Sequence, residues 1–479
     1  MENENKMHKR FGLPTAIAMV VGTVIGSGVF FKAQNVLDSN DGDMLRSILT
    51  VLTVGMVMLV CAYCFSLLAS RVEKVNGIVD YSELALGADY AYYVGWFFTT
   101  IFYPTLTACL SWISALYTLT LFGVSDEALG GAVPLWVVNL LLALFYLLML
   151  FAVNVLSPKL SAKFQVSTTF IKLVPLVVMA IVGTVAGLIS GTFADNAAIS
   201  GGDAVSHSGG GFFGAVVSFA FAFEGWIFAT TINSELKDAK KNLPRALFFG
   251  ALLIIAVYVG YFLGIFGTLP SGEIIASENL PKDAFSKLFG SPVFGTVAYV
   301  FVVISCLGTT NGLMLASCRG IYSIAVRDQG PMAEKFSHVN SRFDMPVRSS
   351  VFGLALSIVW LLQWQFGYIN GSLPDLISFE NDELPIITFY AACIPIFIYI
   401  MVKCTDLNLA KRFVFPSLAT LACLFMVFSA VYKYRLDALY YLIVFTVIML
   451  IGVLFHRKDG KTLIGRLIAK IKSTTKKEK

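Results

Sequence analysis

The chain has 479 residues, of which 57% are hydrophobic and only 14% charged. A soluble protein needs roughly a quarter of its residues charged to face water, so a soluble globular domain is excluded. The formal net charge of +5 is a clue to membrane orientation and gives no reason to expect nucleic acid as a partner.

The N-terminal segment 1–12 carries Lys6, Lys9 and Arg10. The apolar run behind it continues too far for a signal peptide, so no cleavable leader is expected. Apolar runs long enough to cross hydrocarbon as helices, about 20 residues each, predict spans at 13–37, 44–70, 90–122, 133–153, 163–190, 212–232, 245–268, 292–326, 348–367, 385–402, 413–432 and 437–455. The expected fold class is an all-α membrane protein of about twelve transmembrane helices, forming one membrane domain over 1–479. Two stretches between spans read as soluble: the Gly/Ser/Ala-rich 191–211, and 269–291, which holds a plausible surface helix.

The loops test this count. With both termini in the cytoplasm, the inner segments 1–12, 71–89, 154–163, 233–245, 327–348, 403–412 and 456–479 hold 27 of the 35 Lys and Arg residues. The outer segments hold five: Arg46, Lys282, Lys287, Lys433 and Arg435. They are instead acidic, as at Asp38/Asp41/Asp43, Asp126-Glu127 and Glu380/Asp382/Glu383. The positive-inside rule holds at every loop except the last outer one, which carries Lys433 and Arg435. A multi-pass protein of the cell membrane with a basic cytoplasmic tail, 456–479, is expected.

The eight cysteines lie within or beside apolar runs, and the Cys61/Cys64 CxxC has no second pair, so they read as small buried hydrophobes. The four histidines, His8, His207, His338 and His456, fall in loops or tails. No metal, cofactor or enzymatic chemistry is expected, because no nucleophile–base or ligand set lies inside the spans.

The charges inside the spans are Lys172, Glu224 and Arg319, with Lys32 near an outer end. Buried membrane charges are costly and mark functional sites by default. Arg319 is expected to snorkel toward the inner surface. Two spans also carry glycine interruptions. The first reads Gly22-Thr-Val-Ile-Gly26-Ser27-Gly28-Val-Phe, and the sixth reads Phe221-Ala222-Phe223-Glu224-Gly225-Trp226. They are corresponding members of two five-helix sets, and an odd set puts the second upside down relative to the first. Paired broken helices in an inverted repeat point to a transport site at the midplane. Half-helix N–H groups there suit a carboxylate and freed carbonyls suit an ammonium, the two poles of an amino-acid zwitterion.

Several stretches together resemble the amino acid–polyamine–organocation transporters, in the branch of L-amino acid transporters. They are GTVIGSGVF (22–30), QVSTTFIKLVPL (165–176), FAFEGW (221–226), NSELKDAKKNLPR (233–245) and SCLGTTNGLMLASCRGIYSIAVRDQG (305–330). The resemblance implies a five-plus-five inverted-repeat core (13–190 and 212–402) with broken helices 1 and 6, plus two peripheral helices (413–455). It places Ile25, Gly26, Ser27 and Gly28 at the substrate, with amides of the last three facing its carboxylate. Phe221, Ala222 and Phe223 would offer carbonyls to its amino group, with Phe221 closing the site from outside. Lys172 would fill the region where sodium-coupled relatives hold an ion and would couple transport. Glu235 and Arg245 match inner-loop residues of structural role.

The chain departs from the pattern at Glu224, where glycine or aspartate is common, at Phe262 in place of an asparagine, and at Phe31-Lys32-Ala33, where a proline is missing. Glu224 has three open readings: a specificity residue, a proton carrier, or a locally paired structural acid; Lys172 in turn could be its structural counter-ion. The loop Gly123–Val133 has no cysteine, so a disulfide-linked heavy subunit is not expected there. The partners expected are a small amino acid and the lipid bilayer. The leading function is sodium-independent exchange of L-amino acids, small neutral ones first. Cationic amino acids or polyamines, proton-coupled symport, and a sensor that binds without transport are the alternatives.

Overall fold

The computed structural model describes residues 11–26, 28–71, 77–131, 133–198, 211–227, 230, 236–458 and 461–462. These residues are helical apart from loops and a two-residue antiparallel pairing of β1 (Arg457–Lys458) with β2 (Lys461–Thr462). In chain order the helices are α1 (Leu13–Val24), α2 (Gly28–Ser39), α3 (Met44–Ala69), α4 (Gly77–Leu86), α5 (Ala88–Phe97), α6 (Tyr103–Leu121), α7 (Leu135–Leu156), α8 (Pro158–Val178), α9 (Thr184–Ser190) and α10 (Thr192–Ala198). They continue as α11 (Gly211–Phe223), α12 (Ala239–Thr268), α13 (Ser271–Ala276), α14 (Leu280–Phe289), α15 (Pro292–Ala325), α16 (Ala333–Phe336), α17 (Val347–Gln363), α18 (Pro385–Lys403), α19 (Phe415–Tyr434) and α20 (Leu436–Phe455).

Hydrocarbon offers no water to backbone groups, so each crossing must close its hydrogen bonds within itself. Nine helical runs among the described residues are long and apolar enough to do this. Three further apolar runs complete the twelve passes. One is α1 with α2, another is α5 joined to α6 through a π-helical turn at Phe98–Phe102, and the last is α11. Leu141, Phe145 and Leu148 on α7, and Leu421, Leu424 and Phe428 on α19, stay exposed. In a membrane protein such a face meets lipid.

Loop contacts sort into two faces. On the face of the chain's N-terminus, Lys237 N–H bonds Phe11 O, Arg71 pairs with Asp406, Arg327 with Asp80 and Glu83, and His456 with Asp89. On the opposite face, Gln34 bonds Ile275 O, Asn196 bonds Leu269 O, and Lys32 and Lys433 both meet Glu383. These are the groupings that the charge pattern predicts. The expected surface helix in 269–291 is present as α13 and α14. Besides the single turn α16 in the inner loop 327–348, two helices were not expected. One is α10, inside the Gly/Ser/Ala-rich stretch, of which 199–210 lie outside the described residues. The other is α4, in the inner loop 71–89, where Asp80 and Glu83 sit one turn apart and both reach Arg327.

Helices at matching positions of the two five-span sets pack in matching pairs. Span 2 (α3) packs on span 7 (α12), and span 3 (α6) on span 8 (α15). Exchanging the first five spans for the second five maps each of these pairs onto itself. It also maps α6 on α7 onto α15 on α17, and α1 on α12 onto α11 on α3, all of which are in contact. The fifth members break the pattern. Span 5 (α8) leans on α1 and α15, whereas span 10 (α18) leans mainly on the peripheral α19. Close approach of spans 5 and 7 rests on glycine: a Cβ at Gly183 would lie 2.5 Å from Gly264 O, and one at Gly187 would meet Gly267.

Candidate functional site

The first span stops being helical where its sequence turns glycine-rich. Ile25 is extended (φ −69°, ψ 103°), and α2 resumes at Gly28. The second break has a different cause. Gly225 adopts φ 102°, a conformation L-residues resist, and this ends α11 at Phe223. The two breaks touch. Thr23 Oγ1 donates to Gly225 O at 3.0 Å, and the Tyr258 hydroxyl donates to Ala222 O at 2.8 Å, with Val24 O 3.2 Å away. A Cβ on Gly28 would stand 2.7 Å from Ala222 Cα.

Lys172 lies fully buried on α8 against the end of α1. Its ammonium donates to Gly22 O at 2.7 Å, to Ile25 O, and to Thr309 Oγ1 at 2.9 Å. An ammonium has three N–H bonds, and these acceptors use all of them. The carbonyls at a helix C-terminus also carry partial negative charge, so a buried cation is favoured at this position. Thr309 on α15 is therefore a partner of Lys172. Thr310 instead bonds Cys306 O and lies 3.4 Å from Ser114.

A cavity lies between the breaks, lined by Thr23, Val24, Gly26, Gly28, Leu106, Leu110, Phe221, Glu224, Thr309 and Leu313. Gly26, Gly28, Phe221 and Glu224 thus meet at one place. Ile25, Ala222 and Phe223 are buried behind that lining, and Ser27 and Glu235 lie outside the described residues. The Ile25 carbonyl is held by Lys172 and Thr309, and that of Ala222 by Tyr258. Sequence reading missed Leu106, Leu110 and Leu313. They are ordinary leucines in apolar runs, and only the packing of spans 3 and 8 against the breaks singles them out.

Glu224 is 6% exposed, and its Oε2 is buried without a hydrogen-bond partner. The counter-ion reading fails, because Lys172 spends its donors on Gly22, Ile25 and Thr309. Glu224 therefore presents its carboxyl group to a cavity otherwise lined by Val24, Phe221, three leucines, two threonines and two glycines. Arg319 also departs from expectation. It is 2% exposed, with one Nη 3.8 Å from Met345 Sδ, and does not snorkel. The C-terminal part of α15 is enclosed by neighbouring helices, which closes its route to the surface.

Among the described residues, one acidic group is close-set enough to hold a metal: Glu380, Asp382 and Glu383. Glu383 already accepts from Lys32, from Lys433 at 2.7 Å and from the Tyr434 hydroxyl at 2.6 Å. Burial pushes its carboxyl up, but the two ammonium groups outweigh that and hold it below the usual carboxylate range. Two lysine ammonium groups thus face three carboxyls, and burial pushes that of Asp382 up.

Two broken helices meeting at one cavity in a multi-span bundle are the arrangement expected of a membrane transporter. The family model for amino acid permeases matches residues 11–469, and the chain belongs to that family. Its members are transporters, which accords with the absence of an enzymatic reading. The chain is 29% identical over 360 residues to the serine/threonine exchanger SteT of Bacillus subtilis (strain 168), covering 75% of this chain and 78% of that protein. It is 28% identical over 383 residues to the b(0,+)-type amino acid transporter 1 of Homo sapiens, covering 78% and 73%. With the cystine/glutamate transporter of Homo sapiens it shares 26% over 435 residues, covering 89% and 81%.

Proposed function

We propose that this protein exchanges L-amino acids, small neutral ones first, by sodium-independent alternating access across the cell membrane. Both termini face the cytoplasm, 13–190 and 212–402 form the two inverted repeats, 413–455 are peripheral, and 456–479 form the basic tail. The observation that carries the reading is Lys172: its ammonium sits at the broken end of α1, bonded to Gly22 O, Ile25 O and Thr309. A resident cation there leaves transport no need to bring one in. The first-turn N–H groups of α2 receive the substrate carboxylate, and the cavity side of the second break, at Phe221 and Glu224, receives the ammonium. Leu106, Leu110 and Leu313 give the side chain an apolar wall. The names of the relatives cover several substrate classes, so the choice among them rests on the cavity.

One observation favours a second reading. The unpartnered Oε2 of Glu224 would suit a cationic side chain or amine, or a carried proton. A competition panel of all amino acids and their decarboxylated amines, against uptake into loaded vesicles, separates these. Alanine, serine and threonine are expected to compete best, and amines lacking the carboxylate to fail. Stronger competition by arginine, lysine or putrescine would transfer the assignment to cationic substrates.

A further inference from the structure

Two features of the sequence stand outside the substrate site. Lys32 is a charge near the end of the first span, and Lys433 belongs to the one outer loop that breaks the positive-inside rule. The structure brings them to a single carboxylate. Lys32 Nζ bonds Glu383 Oε1 and lies 3.8 Å from Asp382, while Lys433 Nζ bonds Glu383 Oε2 at 2.7 Å and Ser218 Oγ at 2.7 Å. The Tyr434 hydroxyl reaches Glu380 at 2.8 Å as well as Glu383. Lys32, Asp382 and Glu383 have side chains at most 4% exposed, and Lys433 21%.

These residues come from four elements. Lys32 is on α2, Ser218 on α11, Glu383 sits just before α18, and Lys433 and Tyr434 end α19. Ser218 lies one turn before Phe221 on the same helix, so the two share a face. The Lys32 ammonium stands 5.4 Å from the centre of the Phe221 ring, within cation–π range. The cluster thus caps the cavity on the face opposite the termini and ties both post-break and pre-break half-helices to spans 10 and 11.

We propose that the peripheral span 11 is part of the gate on this face: Lys433 and Lys32 clasp Glu383 across Phe221, and opening toward this face requires that clasp to part. Separating buried partners leaves charges unpaired until water reaches them, so the closed state is held by the whole cluster rather than by any one contact. Once α2 moves away, water solvates both lysines and the acids, and the clasp releases without a remaining penalty. Apolar packing alone would re-close at once, whereas hydrated charges lower the cost of staying open. The inference rests on the alternating-access reading. Its test, however, uses a distance that needs no substrate, so the two fail separately.

The experiment places spin labels at exposed Asn35 on α2 and exposed Asp437 on α20, through cysteines introduced there. All eight native cysteines are buried, so the introduced pair takes the label. Distances are measured in wild type, Glu383→Gln, Lys433→Gln and Lys433→Arg, with apparent KM at each face of oriented proteoliposomes. Glu383→Gln is expected to raise the long-distance population about tenfold relative to the short one, lower KM on this face and raise it on the other. Lys433→Gln should act in the same direction more weakly, and Lys433→Arg should stay near wild type. Should Glu383→Gln fail to fold, Lys433→Gln carries the test, since its side chain reaches the rim. Folded variants with unchanged distances and an unchanged KM ratio would overturn the proposal and leave the cluster a static brace.

Discussion

Replacing Lys172 with alanine is expected to slow amino-acid exchange about a hundredfold, at the upper part of the usual range for coupling between sites, while the protein stays folded. The ammonium costs about 3 kcal/mol to place in hydrocarbon on insertion scales, so its removal also removes that cost. The acceptors it leaves are not all orphaned. Thr309 Oγ1 already donates to Ile25 O at 2.9 Å and keeps the end of α1 capped. What disappears is the tie from α8 to the break in α1 and to α15, which the proposed alternating-access reading makes the coupling between the first span and the rest of the bundle. Thermal unfolding of the purified variant checks the fold, and exchange in proteoliposomes checks the rate. A variant exchanging at the wild-type rate, with unchanged apparent affinity on both faces, would remove Lys172 from the mechanism.

Substitution of Gly28 by valine should have a comparable effect on binding: affinity should fall more than about a hundredfold, with insertion preserved, because the added side chain stands in the site itself. From sequence, the expected obstacle is a side chain blocking the substrate carboxylate at the helix-end amides. The structure adds a nearer one. A Cβ at this position meets Ala222 Cα at 2.7 Å, Ala222 Cβ at 2.9 Å and Ala222 N at 3.3 Å. Backbone on the facing half-helix cannot rotate aside as a long side chain would, so the two breaks must separate. Gly272→Val is the control, since nothing lies within 4 Å of a Cβ there. Labelled-substrate binding to both variants decides the matter: near-normal affinity in Gly28→Val would place the site elsewhere.

Much of this architecture is legible in the residues because a membrane imposes a strong rule on each segment. Twelve apolar runs and the loop charges suffice for the passes, and the loop contacts observed join the same groups. The breaks are legible for a local reason too, since glycine clusters inside apolar helices are conspicuous. What escapes is whatever depends on which helix faces which. Leu106, Leu110 and Leu313 look like any lipid-facing leucine until spans 3 and 8 are seen against the breaks. Helix α4 is a short segment between passes, and its pairing of Asp80 and Glu83 with Arg327 joins residues 244 or more positions apart. Lys32 and Lys433 stand out separately as anomalies of composition, yet their common partner Glu383 appears only in three dimensions. Glu224 shows the reverse case: sequence left a pairing with Lys172 open, and the geometry withdraws it.

The central claim is that a resident ammonium takes the place of a carried cation, so that one amino acid leaves as another enters. Flux of labelled amino acid into proteoliposomes, with and without internal unlabelled amino acid, and with external sodium replaced by choline, tests it most directly. Internal amino acid is expected to accelerate uptake, and the choline exchange to leave the initial rate unchanged. A strict sodium requirement, or uptake indifferent to internal substrate, would contradict the assignment.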